Sequence, residues 1–133
     1  MGNVVVWVDI PVVDLDRARA FYEKLLGNPI QLMPSADGQS QNALLMPLGT
    51  GSPDDVSGDL AAAGPTKPSS THGCVPYLSA QGDIDGMLER AVEAGGSIHA
   101  SKQNFGQMGG WLAWIIDSEG NLIGLQQPLS EGE

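Results

Sequence analysis

The hydrophobic and polar positions of the first half of the chain predict a strand, a helix and then three strands. The segment NVVVWVDIPV is rich in β-branched and aromatic residues, which is typical of a strand. In DLDRARAFYEKLLG the apolar residues recur at helical spacing, with Asp14 as the N-cap and Gly27 as a left-handed residue at the C-terminus. Shorter strands are predicted around IQLM, NALLMPL and SGDLAAA, because Gly, Pro and Ser turns separate them.

The second half of the chain repeats this order. A strand around CVPYLSA precedes a helix in DIDGMLERAVEAGG, and strands around SIHAS, GWLAWIID and NLIGLQQP follow. The two helices align at one constant offset, which matches Asp14 with Asp83 and Gly27 with Gly96. We interpret this as an internal duplication within a single domain, 1–133. Module 1 covers about residues 1–63, a Pro/Ser-rich connector about 64–72, and module 2 about 73–128.

A module with one helix can cover only one face of its sheet, so the other face must be buried in another way. The sequence therefore predicts an α+β fold in which two βαβββ modules in tandem form a mixed β-sheet around a concave cleft. The helices are expected on the outside. A cleft of this kind is the expected ligand site.

The charge of the chain excludes two classes of partner. Six Lys and Arg residues stand against sixteen Asp and Glu residues, which gives a formal net charge of −10. This charge repels the phosphates of nucleic acids and anionic membranes, so we expect neither as a partner. The acidity is compatible with simple solubility, and also with a negative field in the cleft that attracts a cationic ligand.

Cysteine usage and the first residues predict the compartment. Cys74 is the only cysteine, so it cannot form a disulfide within the chain. The opening MGNVVVWVDIP lacks the features of a secretory signal, and no apolar run approaches the roughly 20 residues of a membrane helix. We therefore expect a soluble, cytoplasmic protein.

The duplicated module, the helix motif DLDRARAFYEKLLG and the hairpin in DSEGNLIGLQQP resemble the vicinal oxygen chelate superfamily. This superfamily includes glyoxalase I, extradiol dioxygenases, fosfomycin resistance thiol transferases and bleomycin-binding proteins. The resemblance covers nearly the whole chain. It implies paired modules around a divalent cation held by His, Gln or Glu, or, in the bleomycin-binding members, a dimer whose acidic cleft holds a cationic drug between aromatic rings.

The resemblance also implies where metal ligands would lie, and these positions lack suitable donors. The first ligand position falls at Trp7, the equivalent position of the second module near Val75, and the last position at Gly124. Cys74 beside Val75 is a soft donor that suits oxygen chelation poorly. Asp59 is the remaining possible ligand. One donor of four does not hold a metal, so the sequence predicts neither a metal nor another cofactor.

Instead, we expect an organic ligand in the cleft. Gly124 lies in a strand, where a glycine usually marks a bulge or a close approach, and Trp7 offers a ring that suits a planar guest. The alternative is that Trp7 only fills the former metal site. Asp9 shares the strand face of Trp7 and is compatible with a general base, a partner for a ligand cation, or a structural carboxylate.

The segment KQNFGQMGG resembles a mobile flap over the pocket, or is a plain surface loop. Trp111 and Trp114 alternate out of phase, so only one of them can face the cleft. His72 and His99 are expected at the surface, and we assign no catalytic residue. The residues predicted to line the ligand cleft are Trp7, Asp9, Val75, Tyr77, Phe105, Met108, Trp111 and Gly124.

Two classes of function follow. The first is a small-molecule-binding member of the superfamily, a homodimer that sequesters an aromatic or cationic compound as bleomycin resistance proteins do. The alternative is a glyoxalase-like lyase or isomerase, or a dioxygenase-type enzyme, with an atypical metal site that uses Asp59 or Cys74.

Overall fold

A computed structural model describes residues 4–35, 38–45 and 56–133 of the chain. The chain divides into two compact units, Met1–Pro68 and Ser69–Glu133. Each unit contains one four-stranded mixed sheet and one long helix, and the second unit adds a short third helix. The predicted α+β fold of two tandem βαβββ modules is therefore confirmed, with one sheet in each module. No helix in the described ranges has the length and apolar character needed to cross a membrane.

The first unit forms a sheet with strand order β1-β4-β3-β2. β1 runs parallel to β4, and the other two pairings are antiparallel. The second half of the predicted strand NALLMPL lies outside the described residues. The elements are β1 (Trp7–Pro11), α1 (Leu15–Leu26), β2 (Gln31–Pro34), β3 (Gln41–Leu44) and β4 (Ser57–Ala61).

The core of the first unit lies between α1 and one face of this sheet. Helix α1 packs on β3 and β4 through the apolar stripe that its helical spacing predicts. Alternation along the strands then leaves the opposite face of the sheet for other side chains. The buried residues of this core include Ile10, Ala18, Phe21, Tyr22, Leu25, Ala43 and Leu60.

The second unit repeats the arrangement with strand order β5-β8-β7-β6, and β5 runs parallel to β8. Helix α2 packs on β6, β7 and β8, and the buried residues Met87, Ala91, Ala113, Ile115 and Leu125 belong to this core. The elements are β5 (Tyr77–Ser79), α2 (Ile84–Glu93), β6 (Ser97–Asn104), α3 (Gly106–Gly109), β7 (Trp111–Ile116) and β8 (Leu122–Gln127).

Strand β6 is longer than the sequence predicts. The segment SIHAS predicts only its first part, whereas the strand continues to Asn104 through two irregularities in its register with β7. Bulges of this kind let a strand continue after its alternation is interrupted. The segment that we compared with a flap thus contains the end of β6 and the short helix α3.

Side chains cap the two long helices as predicted. The carboxylate of Asp14 accepts a hydrogen bond from the backbone N–H of Arg17 at 3.0 Å. The carboxylate of Asp83 accepts a hydrogen bond from the backbone N–H of Gly86 at 3.1 Å. Each cap satisfies one of the free N–H groups in the first helical turn.

The C-terminus of α1 confirms the prediction for Gly27, and the C-terminus of α2 differs from it. Gly27 has a φ of 74° in the left-handed region. In the second helix Gly95, with a φ of 106°, takes this role, because α2 already ends at Glu93. The match of Gly27 with Gly96 is therefore wrong by one residue. The N–H of Gly96 instead bonds to the carbonyl of Ala91 at 2.8 Å, as in a Schellman motif.

Replacement of Gly27 by alanine measures how much stability a side chain loses in the left-handed conformation at the end of α1. A Cβ at Gly27 would have no heavy atom within 4 Å, so no clash contributes. We expect Gly27→Ala to lower the free energy of unfolding by about 1 kcal/mol, because a left-handed conformation disfavours a side chain. Gly27→Asn should lose less. Urea unfolding followed by circular dichroism measures both, and equal stability of the alanine variant and the parent would contradict the prediction.

Candidate functional site

Three aromatic side chains gather on the face of the second sheet that lies away from α2. Tyr77 on β5 is opposite Gly124 on β8, and Gly124 is opposite Trp114 on β7. Partners in a register share one face of a sheet, so this alignment brings Tyr77 and Trp114 together across the glycine. Phe105, between β6 and α3, joins them. We call Tyr77, Phe105 and Trp114 the aromatic cluster.

Directed contacts fix the rings of the aromatic cluster. The indole Nε1–H of Trp114 donates a hydrogen bond to the hydroxyl of Tyr77 at 2.9 Å. The ring centroids lie 6.2 Å apart for Tyr77 and Trp114 and 6.0 Å apart for Phe105 and Trp114, both edge to face. Tyr77 and Phe105 nevertheless remain 48% exposed each. The cluster is thus an ordered aromatic surface in contact with solvent.

Gly124 makes room for the Tyr77 ring. A Cβ on Gly124 would collide with three carbons of this ring, so only glycine allows the ring to lie across the strand. The space that we expected to receive a guest is therefore filled by a side chain of the neighbouring strand. The sequence could not show this, because the pairing of Tyr77 with Gly124 depends on the register of β5 and β8.

Trp111 lies on the other face of the second sheet. It is opposite Gln127, whose side-chain oxygen accepts a hydrogen bond from the N–H of Ile84 at the start of α2. The ammonium of Lys102 lies 4.7 Å from the centroid of the Trp111 indole, which is a cation–π contact. The structure thus places Trp114, rather than Trp111, with Tyr77 and Gly124.

The remaining predicted residues of the second unit lie outside the aromatic cluster. Val75 is half-buried and precedes β5, and Cys74 beside it is exposed. Met108 belongs to α3 and is 99% exposed. Both histidines are exposed, as expected, and His72 hydrogen-bonds the hydroxyl of Thr71.

In the first unit, three polar residues meet on the face of the sheet opposite α1. Asp9 on β1 is opposite Asp59 on β4. The amide nitrogen of Asn42 on β3 donates a hydrogen bond to the Asp59 carboxylate at 2.7 Å. We call Asp9, Asn42 and Asp59 the polar cluster. Trp7 lies on the same strand face as Asp9 and is 43% exposed.

Burial shapes the electrostatics of the polar cluster. Asp59 is only 3% exposed, and this burial together with the neighbouring Asp9 raises the pKa of its carboxyl from 3.8 to about 6. Polar contacts from Asn42 and Trp7 act in the opposite direction but are weaker. Two buried oxygens, Oδ1 of Asp59 and Oδ1 of Asn42, have no hydrogen-bond partner among the described residues. The side chains of Asp9 and Trp7 also lie within hydrogen-bonding reach of the Asp59 carboxyl, so the described residues meet part of its acceptor capacity.

Among the described residues of the two units, side chains that bind metals do not gather in larger groups. Across residues 4–35, 38–45 and 56–133, no group of three or more His, Cys, Asp or Glu side chains is placed to hold an ion. The polar cluster supplies two carboxylates and one amide.

Comparison with protein families finds a match in the N-terminal part of the chain. Residues 5–37 match the model described as Bleomycin resistance protein-like N-terminal. This segment contains β1 and α1, including Trp7 and Asp9.

Solved structures of similar fold cover nearly the whole chain. TnmS3, described as an antibiotic binding protein from Streptomyces sp. CB03234, is 25% identical with a TM-score of 0.60, and the match covers 96% of this chain and 97% of that protein. A glyoxalase/bleomycin resistance protein from the same organism is 26% identical with a TM-score of 0.61, covering 92% and 99%.

A longer relative is known from sequence. The Mycobacterium tuberculosis (strain CDC 1551 / Oshkosh) protein named "Putative glyoxylase CFP32" is 28% identical over 91% of this chain. The match covers 44% of the mycobacterial protein, so the chain spans less than half the length of this relative.

The contact between Tyr77 and Gly124 predicts a specific non-additivity. We expect Gly124→Ala to lower the free energy of unfolding by about 1–3 kcal/mol, because the new methyl group must displace a packed ring. In Tyr77→Ala the ring is absent, so adding Gly124→Ala to that variant should cost much less. Denaturant unfolding of the parent, both single variants and the double variant measures the coupling. Additive losses would show that Tyr77 does not occupy this space.

The raised pKa of Asp59 predicts a pH-dependent effect on stability. The folded state binds this proton more tightly than the unfolded state, so the carboxyl opposes folding increasingly as the pH rises from 3.8 to about 6, and this loss of stability then stays constant at higher pH. Asp59→Asn should therefore raise the melting temperature, and more at pH 8 than at pH 5. The exposed Asp16→Asn, with the same change in charge, is the control. An equal gain for both variants at pH 8 would contradict the prediction.

Proposed function

We propose that this chain is a small-molecule-binding member of the vicinal oxygen chelate superfamily that sequesters an organic compound with an aromatic or cationic group. The aromatic cluster carries this proposal. An ordered, half-exposed group of rings offers stacking surface to a planar guest, and its contacts to Trp114 already restrict the motion of Tyr77 and Phe105. Binding then orders few additional side chains, which favours affinity.

The energetics of aromatic contacts support this use of the cluster. Aromatic pairs contribute about 0.5–1.5 kcal/mol beyond the burial of their area. Tyrosine also places a hydroxyl beside its apolar ring, and in Tyr77 this hydroxyl already accepts the Trp114 N–H. The Tyr77 hydroxyl proton remains available to an acceptor on a ligand.

The relatives support binding as the function. TnmS3 is described as an antibiotic binding protein, and the matching family model is described as bleomycin resistance protein-like. The family model covers β1 and α1 of this chain, and the match to TnmS3 covers 96% of the chain. We extend binding of a small molecule to this chain on these grounds, and leave the identity of the compound open.

The side chains at the ligand positions implied by the superfamily do not fit a chelated metal. Trp7 has no lone pair available for coordination, Val75 has no donor, and Gly124 has no side chain. Asp59 alone carries a carboxylate at such a position. We therefore derive no reaction step through a metal. A homodimer, with the second copy contributing to the binding site, stays a prediction for the assembly.

Truncation of Phe105 tests the role of the aromatic cluster. We expect the parent to bind planar aromatic compounds such as proflavine, and Phe105→Ala to weaken binding by roughly 3- to 10-fold, because one exposed ring of the cluster is lost. Val92→Ala is the matched control, since Val92 is an exposed apolar residue on α2. Isothermal titration calorimetry against a panel of cationic and neutral planar compounds measures the affinities.

Phe105 is half exposed, so both variants should keep the parent circular dichroism spectrum. If no planar compound binds, or if Val92→Ala weakens binding as much as Phe105→Ala, the proposal is wrong. A compound that is chemically altered during titration would favour the enzymatic alternative.

A further inference from the structure

The sheet face that carries the aromatic cluster also carries two polar side chains, Ser79 on β5 and Gln126 on β8. These two residues are opposite each other in the register of the parallel strands. They follow Tyr77 and Gly124 by two positions, and alternation places residues two positions apart on the same face of a sheet. The backbones of the two pairs are thus roughly 6.6 Å apart along the strands, so a planar guest on the rings has the polar side chains beside it.

One hydrogen bond fixes the amide group of Gln126. Its nitrogen donates to the backbone carbonyl of Gly109 at the end of α3, at 3.1 Å. The oxygen and the nitrogen of an amide point in different directions from the same carbon, so this bond directs the Gln126 oxygen away from Gly109. Gln126 is only partly buried, and its oxygen is an acceptor that a ligand on this face can reach.

Two hydroxyl groups near this amide offer protons. The Tyr77 hydroxyl accepts the N–H of Trp114 at 2.9 Å. The Ser79 hydroxyl accepts the backbone N–H of Gln81 at 3.2 Å. Each bond uses a lone pair of the hydroxyl oxygen and not its proton, so each hydroxyl can still donate. Tyr77 and Ser79 are exposed, and the face therefore combines hydroxyl donors and an amide acceptor with the rings.

The charges of the second sheet favour a neutral ligand. Strands β5, β7 and β8 contain no Asp, Glu, Lys or Arg residue. In β6 the ammonium of Lys102 is already paired with the carboxylate of Asp85 at 3.0 Å. A ligand ion would therefore find no free carboxylate or ammonium on these strands, and it is costly to remove an ion from water without a partner.

We propose that the aromatic cluster, together with Ser79 and Gln126, binds a neutral planar compound whose edge carries a carbonyl group next to an N–H group, as in a lactam. The rings stack on the planar part of the compound. The hydroxyls of Tyr77 and Ser79 offer a proton to its carbonyl, and the Gln126 oxygen accepts its N–H. This inference rests on the proposed binding function, and it names the chemical class of the ligand and Gln126 as a residue that determines specificity.

Carbostyril and coumarin form a matched pair of probes. Both are neutral, planar and bicyclic and carry one carbonyl group, but carbostyril is a lactam with an N–H where coumarin has a ring oxygen. We expect the parent to bind carbostyril roughly 5-fold more tightly than coumarin, because coumarin covers the Gln126 oxygen without supplying a donor. Titrations followed by heteronuclear NMR measure both affinities, and the indole N–H signal of Trp114 reports contact with the aromatic cluster.

Two variants separate the roles of the polar groups. Gln126→Met keeps a side chain of similar length but removes its amide, so the affinity ratio of the two probes should fall to about 1 while the affinity for coumarin stays nearly unchanged. Tyr77→Phe removes a donor to the carbonyl that both probes share, so both should bind roughly 3-fold more weakly at an unchanged ratio. Gln41→Met, at an exposed position of β3 in the first unit, is the matched control and should change neither affinity.

Three results would overturn the inference. The first is equal affinity of the parent for the two probes, and the second is an unchanged ratio in Gln126→Met. The third is an equal loss of both probes in Gln126→Met, because Gln126 would then act only by anchoring Gly109.

Phe105→Ala and proflavine separate this inference from the proposed function. If Phe105→Ala weakens both probes while the parent does not distinguish them, the lactam specificity is wrong and the proposed function stands. The same conclusion holds if proflavine binds and neither neutral probe shifts the Trp114 signal at millimolar concentration. If none of the three compounds binds, both proposals are wrong.

Discussion

One helix must cover a sheet that has two faces, and this constraint determines what each unit can do. In the first unit the stripe of α1 packs on β3 and β4, which carry the buried residues Ala43 and Leu60, and in the second unit α2 covers the equivalent face. Much of the buried apolar surface of each unit lies at this interface, which contributes to its hydrophobic stabilisation. The opposite faces carry the polar cluster and the aromatic cluster, and on the first of these faces Asp59 and Leu44 are buried as well.

The two units differ in the side chains that they place on the sheet face opposite the helix. In the first unit a carboxylate on β4, Asp59, lies opposite a second carboxylate on β1. In the second unit the corresponding pairing of parallel strands places a bare glycine on β8 opposite the Tyr77 ring. The face of one unit is therefore polar and negatively charged, and the face of the other offers apolar ring surface.

The sequence predicted the features that depend on local pattern. Helical periodicity, the capping residues Asp14 and Asp83 and the left-handed Gly27 are determined within a few residues, and the duplication supplied the order of elements. The sequence could not predict the features that depend on the register between strands. The Tyr77 ring over Gly124 and the hydrogen bond between Asn42 and Asp59 join residues on different strands, which alternation along one strand does not specify.

Gly124 is unusual in the sequence itself, whereas its pairing with Tyr77 is visible only in the structure. A missing side chain in a strand is visible in the sequence, whereas the identity of the group that fills the space depends on the strand beside it. Here that group is a tyrosine held by a hydrogen bond from Trp114. Glycine at this position leaves space for the Tyr77 ring beside β8, where its hydroxyl reaches Trp114, and the ordered aromatic surface depends on the absence of one methyl group.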